Sequence, residues 1–81
     1  MKRLLDFYAD WCGPCKLMNP VLDTLSQEFT IEKINVDKAA DIAAQHNVMG
    51  IPTYIIMDGD EEIIRFSGYT PIEKLRKAMQ L

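Results

Sequence analysis

Residues 2–8 place Leu4, Leu5, Phe7 and Tyr8 so that the segment has no polar face. A strand of this pattern is stable only when both of its faces are covered, which makes it a central strand of a layered α/β fold. The residues that follow narrow the choice. Leu17, Met18, Val21, Leu22, Leu25 and Phe29 recur at helical spacing against Asn19, Asp23, Thr24, Gln27 and Glu28, predicting a core-facing helix over residues 12–29. Pro14 falls in its first turn, where a missing N–H costs nothing, and Pro20 falls inside it and bends it. Ile31 to Asp37 reads as a second strand. A strand, helix and strand of this length close as a right-handed parallel crossover, so the second strand lies beside the first. Its Glu32, Lys33 and Asn35 interrupt the apolar residues, as suits an edge that resists pairing with other chains.

Residues 39–46 predict a short helix with Ile42 and Ala43 inward and Asn47 as a left-handed C-terminal cap. His46, the single histidine, sits in its last turn and reads as a partner of helix carbonyls rather than a ligand or base. Thr53 to Met57 is a β-rich run that Asp58-Gly59-Asp60-Glu61 turns into Glu62 to Phe66, a hairpin. Thr70-Pro71-Ile72-Glu73 has the form of a capping box, and opens a last helix with Ile72, Leu75, Ala78 and Met79 inward. The order is βαβαββα, a four-stranded mixed sheet.

At the end of the central strand stands Cys12-Gly13-Pro14-Cys15. Two thiols with two residues between them, where strand gives way to helix, are spaced to form and break one short disulfide. Cys12 falls at the helix N-terminus, where unpaired backbone N–H groups and the helix dipole favour a thiolate. Cys15 is about one turn further in. The expectation is an exposed nucleophile, Cys12, and a sheltered resolving thiol, Cys15. Asp6 is the anomaly of the apolar strand. A carboxylate there needs partners or keeps its proton, and beneath the cysteine pair it is placed to handle the proton of Cys15.

Composition bounds the rest. The 81 residues, 48% hydrophobic, describe one small domain over 1–81 with a modest core. A net charge of −3 with acids and bases interspersed argues against nucleic acid as a partner. No stretch approaches membrane-spanning length and no charged segment followed by an apolar run opens the chain, so the expectation is a soluble, cytoplasmic protein with no membrane partner. In that compartment a pair of cysteines is redox-active rather than structural. No metal is expected, because His46 and two cysteines lack a fourth ligand at usable spacing.

Trp11-Cys12-Gly13-Pro14-Cys15-Lys16 resembles the active-site signature of the thioredoxins. Four further matches stand in order: Asp6 six residues before the first cysteine, Pro20 five after the second, Gly50-Ile51-Pro52-Thr53 like the cis-proline loop, and Gly68 after the last strand. The resemblance is to a minimal thioredoxin, since the family's usual first strand and helix have no counterpart in these residues. It implies strand order 2-1-3-4, with the first and last helices on one face and the short helix alone on the other. That face is then expected to carry an apolar patch, and the chain to be a monomer. For the site, the resemblance implies catalytic Cys12, Cys15 and Asp6, and a substrate groove of Trp11, Gly13, Pro14, Ile51, Pro52 and Gly68, extended by Tyr69. Without the resemblance, Pro52 reads equally as punctuation at a strand's first residue and Gly68 as a bare turn glycine. Lys33 corresponds to a family lysine near the buried acid and either supports Asp6 or only protects the sheet edge. The implied activity is reduction of protein disulfides with no bound cofactor beyond the redox-active Cys12–Cys15 disulfide, and with a thioredoxin reductase as electron donor. A glutaredoxin-like, glutathione-dependent reductase and a non-catalytic binding module are the alternatives; Gly13-Pro14 stands where glutaredoxins usually carry a proline-tyrosine pair.

Overall fold

The computed structural model describes residues 1–81 and places β1 (Lys2–Tyr8) inside a four-stranded sheet of order β2-β1-β3-β4. β2 (Thr30–Asn35) pairs with it in parallel, and β3 (Thr53–Asp58) pairs with it antiparallel. β4 (Glu61–Ser67) closes the hairpin with β3, and a register irregularity falls between Ile56 and Met57. The absence of a polar face in β1 thus reports its position: strands cover both of its edges and side chains cover both of its faces. Leu4, Leu5, Asp6 and Phe7 are all buried.

Alternation along the strands sorts the core into two layers. Leu4, Tyr54 and Ile56 point to one face, where they pack with Met18, Leu22, Leu25, Leu75, Ala78 and Met79 from the first and last helical segments. Leu5, Phe7, Ile34, Ile55 and Met57 point to the other, where Ala43 of α3 (Ala40–Gln45) joins them. Completely burying an aliphatic or aromatic side chain of this size contributes about 1.5 to 3 kcal/mol, so the two layers are the main source of stability.

The helix expected over 12–29 is two helices, α1 (Gly13–Leu17) and α2 (Asn19–Leu25), and ends four residues early. Pro20 has no N–H to give to the carbonyl of Lys16, and its ring crowds that carbonyl. The chain therefore breaks at Met18, whose N–H turns to Cys15 O at 3.2 Å. The break redirects the side chains. Met18 is fully buried and its sulfur accepts the N–H of Thr70 at 3.5 Å, whereas Leu17, expected in the core, is 68% exposed. Phe29 lies beyond the helix and is half-buried.

Three other expectations change. Ile42 faces outward, because Ala43 alone fits against the sheet in so short a helix. Asn47 does take the left-handed conformation, φ 55°, that ends α3. The capping box before α4 (Ile72–Met79) does not form: Pro71 is the cap residue, with extended backbone, and the Thr70 hydroxyl donates to Gly68 O at 3.1 Å. Lastly, on the face bearing only α3 the apolar patch is confined to one end, around the exposed Trp11 and Met49, rather than spread over the sheet. Leu5, Ile55 and Met57 are buried there, and Arg3 and Arg65 occupy the register positions beside Met57 and Ile55. The guanidinium of Arg3 donates to Gly59 O at 2.8 Å. That of Arg65 donates to His46 O at 2.8 Å and pairs with Glu62. Long basic side chains can cover apolar surface with their stems while their heads stay wet, and Arg3 and Arg65 stand on this face at positions suited to do so.

Candidate functional site

The C-terminal end of β1 delivers the cysteines. After Tyr8 the chain turns through Ala9, whose carbonyl accepts the N–H of Cys12 at 3.2 Å. Cys12 adopts extended backbone (φ −85°, ψ 110°) and caps α1, its Sγ accepting the N–H of Cys15 at 3.2 Å. Pro14 fits the first turn because no intrahelical donor is needed there. Cys12 and Cys15 are joined as a disulfide, with Cα atoms 5.3 Å apart. The pair packs on Ala9, Tyr8, Val36 and Ile51. In this oxidised state residue exposure does not separate the two cysteines: Cys12 is 3% and Cys15 5% accessible. What distinguishes them is the backbone N–H, which serves Cys12.

Asp6 lies two residues back on the face that also carries Leu4 and Tyr8, and is 1% exposed. Neither of its carboxyl oxygens has a hydrogen-bond partner. Burial therefore pushes its pKa up from 3.8 to about 6, with the positive charge of Lys33 pulling weakly the other way. Lys33 stands opposite Asp6 in the β1–β2 register but makes no ion pair with it; its Nζ lies 4.9 Å over the ring of Tyr8. Desolvation wins over attraction. A polar cavity of about 370 Å³ lies beside the disulfide, lined by Tyr8, Asp10, Cys15, Lys16, Asn19 and Lys33.

On the opposite flank a shallow apolar concavity of about 220 Å³ is lined by Trp11, Val36, Val48, Met49, Gly50 and Ile51. Trp11 is 70% exposed, yet its indole is fixed by donating from Nε1 to the Asp37 carboxylate at 2.9 Å. The Ile51–Pro52 peptide bond is cis. The N–H of Gly68 donates to Pro52 O at 2.9 Å, and Gly68 has φ 79°, a region that only glycine enters freely. A Cβ on Gly68 would meet nothing within 4 Å, so conformation rather than crowding selects glycine. Gly13, Pro14 and Tyr69 are exposed around this rim, and Ile51 is half-buried. His46 is elsewhere: its ring packs against Phe7 at 5.7 Å between centroids. No group of three or more His, Cys, Asp or Glu side chains is arranged to hold a metal ion.

Sequence reasoning missed Asp37, Val36 and Met49. A signal existed for the first two, because parallel pairing brings the C-terminal ends of β1 and β2 to one end of the sheet. Val36 N–H continues that ladder to Tyr8 O at 2.9 Å, and Asp37 follows directly.

A cysteine pair closed as a disulfide at a helix N-terminus, at the end of the strand that carries a buried acid and beside an apolar groove, defines a thiol–disulfide oxidoreductase. The comparisons make the assignment specific. The family model for thioredoxin matches residues 1–81. Thioredoxin-T of Drosophila melanogaster is 41% identical over 81 residues, covering 95% of this chain and 51% of that protein. The thioredoxin of Alicyclobacillus acidocaldarius subsp. acidocaldarius is 40% identical over 76 residues, covering 89% of this chain and 72% of that one. Among solved structures, a mutant thioredoxin from Halobacterium salinarum NRC-1 superposes with a TM-score of 0.92 at 33% identity, covering 98% of this chain and 72% of that one. Oxidised mitochondrial thioredoxin 3 of Saccharomyces cerevisiae gives 0.88 at 35% identity, covering 98% and 76%. The chain belongs to the thioredoxin family. It spans about half the length of the Drosophila relative and about three quarters of the solved thioredoxins.

Proposed function

We propose that this protein works as a reductant of disulfides in other proteins, with Cys12 as nucleophile and Cys15 as resolving thiol. The observation that carries the reading is the N–H of Cys15 donating to Cys12 Sγ, since a donor aimed at one sulfur favours that sulfur as thiolate. The Cys12 thiolate attacks a substrate sulfur, the substrate S–S bond breaks, and one substrate thiolate leaves. Cys15 then loses its proton to the Asp6 carboxylate and attacks Cys12 Sγ. The mixed disulfide breaks, the second substrate thiol is released, and two electrons have moved from the Cys12–Cys15 pair to the substrate. Asp6 suits this step because its pKa of about 6 leaves it charged at neutral pH yet still basic enough to take a proton.

Trp11, Ile51 and the rim formed by Gly13, Pro14, Pro52, Gly68 and Tyr69 receive an extended segment of the substrate, with backbone at Ile51 available for strand-like pairing. The tie between Trp11 and Asp37 supports this, because it holds an exposed aromatic ring in place before any partner arrives. The donor that restores the dithiol is a thioredoxin reductase, and the working place is the cytoplasm. Lys33 supports the site through its charge on Asp6.

Trapping tests the roles. Cys15→Ser is expected to accumulate covalent mixed disulfides with protein substrates, and Cys12→Ser to accumulate none; equal trapping by both removes the assignment. Insulin-type disulfide reduction coupled to a thioredoxin reductase and its nicotinamide donor is expected to turn over, and the same assay with glutathione as donor to be far slower.

A further inference from the structure

The disulfide lies between two hollows of opposite character, and the function proposed above uses only one of them. That one is apolar and runs from Trp11 to Ile51. The other, of about 370 Å³, is lined by Tyr8, Asp10, Cys15, Lys16, Asn19 and Lys33, so the reacting pair forms part of its wall. Two lysines against one aspartate give that wall a formal charge of +1, on a chain whose net charge is −3.

The chain itself does not neutralise these lysines. Its ion pairs join Met1 with Asp58, Arg65 with Glu62, and Arg76 with Glu28 and Glu73; Lys16 and Lys33 enter none of them. Asp10 shares the wall without pairing with either. Asp6 is opposite Lys33 in the β1–β2 register but is buried, and the lysine rests instead over the ring of Tyr8, its Nζ 4.9 Å from the centroid. A cation resting on an aromatic face is placed before a ligand arrives, which lowers the ordering cost of meeting an anion. The Asn19 side chain, at the start of α2, adds amide donors to the same wall. Two ammonium groups and an amide make a donor set for a carboxylate, the anion that protein substrates carry on their own side chains.

We propose that the polar cavity is a subsite for an acidic side chain of the substrate, an Asp or Glu near the attacked cysteine, held by Lys16, Lys33 and Asn19. The inference rests on the reading of Cys12 as nucleophile toward disulfides in other proteins. The Cα atoms of Cys12 and Cys15 are 5.3 Å apart, and Cys15 lines the cavity. An extended substrate advances about 3.3 Å per residue, so a side chain about two places from the attacked cysteine reaches from Cys12 to the lysines. The apolar hollow takes the segment on the other side of that cysteine. The two hollows together give the site a polarity: apolar residues on one flank of the substrate cysteine, an acid on the other.

The test uses short peptides with a single cysteine, activated as its mixed disulfide with 2-thiopyridine, a neutral leaving group whose release is read by absorbance. Glu or Gln stands two places before or two places after the cysteine. At low salt Glu is expected to react about fivefold faster than Gln on one flank and equally on the other, the upper end of what an exposed ion pair contributes. The preference is expected to fade at about 0.5 M salt. Lys16→Gln combined with Lys33→Gln is expected to abolish it, and Lys74→Gln combined with Lys77→Gln, the same charge change on α4, to preserve it. Since Lys33 also acts on Asp6, the Glu-to-Gln ratio is read rather than the rate. A preference equal on both flanks, surviving the Lys16 and Lys33 substitutions, or lost equally with the α4 pair, is long-range attraction and overturns the inference. Rates blind to the flanking residue overturn it while leaving the disulfide reaction standing; no reaction with any peptide removes both. In mixed disulfides trapped with Cys15→Ser, the Asn19 side-chain amide resonances are expected to differ between the Glu and Gln peptides of the preferred flank. Identical resonances place the acid outside the cavity and overturn the inference without recourse to rates.

Discussion

With its proton held to about pH 6, Asp6 is largely neutral in the folded chain at pH 5, where an Asp of pKa 3.8 in the unfolded chain is largely charged. Raising the pH from 3.8 to about 6 therefore stabilises the unfolded chain relative to the folded one, and above that window the loss is complete. Asp6→Asn is expected to remove this penalty. Its advantage over the parent should be near zero at pH 3, grow through the window, and level off at on the order of 2 to 3 kcal/mol at pH 7. Urea denaturation of both proteins from pH 3 to 9 measures it, and disulfide-reduction rates taken alongside are expected to fall for the variant. A variant less stable than the parent at pH 7 would mean that attraction to Lys33 outweighs burial. That balance was not legible in the sequence. The apolar run around Asp6 announced desolvation and the family resemblance announced Lys33 as a neighbour, but only the turn of the lysine towards Tyr8 decides which effect is larger. The cysteines and Asp6 were legible because their chemistry is local to one strand and one turn. The bond from Trp11 to Asp37 was not, since its partners are 26 residues apart and meet only through the parallel register.

Elements were legible where one periodicity ruled and misread where two local rules competed. The helix of residues 12–29 shows this. Apolar spacing carried it past both ends of the true segments, and Pro20, read as a bend in one helix, instead breaks it in two at Met18. Thr70 is a second case: its hydroxyl had two acceptable partners, a helix N–H and a nearby carbonyl, and the positive φ of Gly68 brought the carbonyl closer. Asn47 was read correctly since a left-handed residue ending a helix draws on few residue types. At φ 55° a β-branched side chain collides with its own backbone, so Asn47→Val is expected to cost about 1 to 2 kcal/mol and Asn47→Gly to leave stability within a few tenths of the parent. Thermal melts of the two variants check this. Equal melting temperatures would show that the C-terminus of α3 relaxes into another conformation.

At the scale of the whole molecule, the unusual feature is a sheet with two helical segments and α4 on one face and only α3 on the other, where Leu5, Ile55 and Met57 are nonetheless buried. Arg3 and Arg65 explain it by position, and Arg65 is the better tied of the two. It reaches His46 O at the end of α3 and grips both carboxylate oxygens of Glu62, which drives the Glu62 pKa below the usual carboxylate range. Its stem thus bridges from β4 to α3 across Ile55. Arg65→Ala removes the cover and the hydrogen bonds together, and is expected to cost about 1 to 2 kcal/mol in urea denaturation. It should also raise the binding of a dye that fluoresces on apolar surface. Arg65→Met separates the two contributions, since a methionine keeps a stem of similar length without the donors. It is expected to return dye binding to the parent level while recovering only part of the lost stability. Sedimentation places the same argument at the level of assembly: the parent is expected to remain monomeric at high concentration and Arg65→Ala to associate weakly. Unchanged dye binding and sedimentation in Arg65→Ala would show that α3 and the loops around it cover this face unaided, and that the arginine serves only its hydrogen bonds.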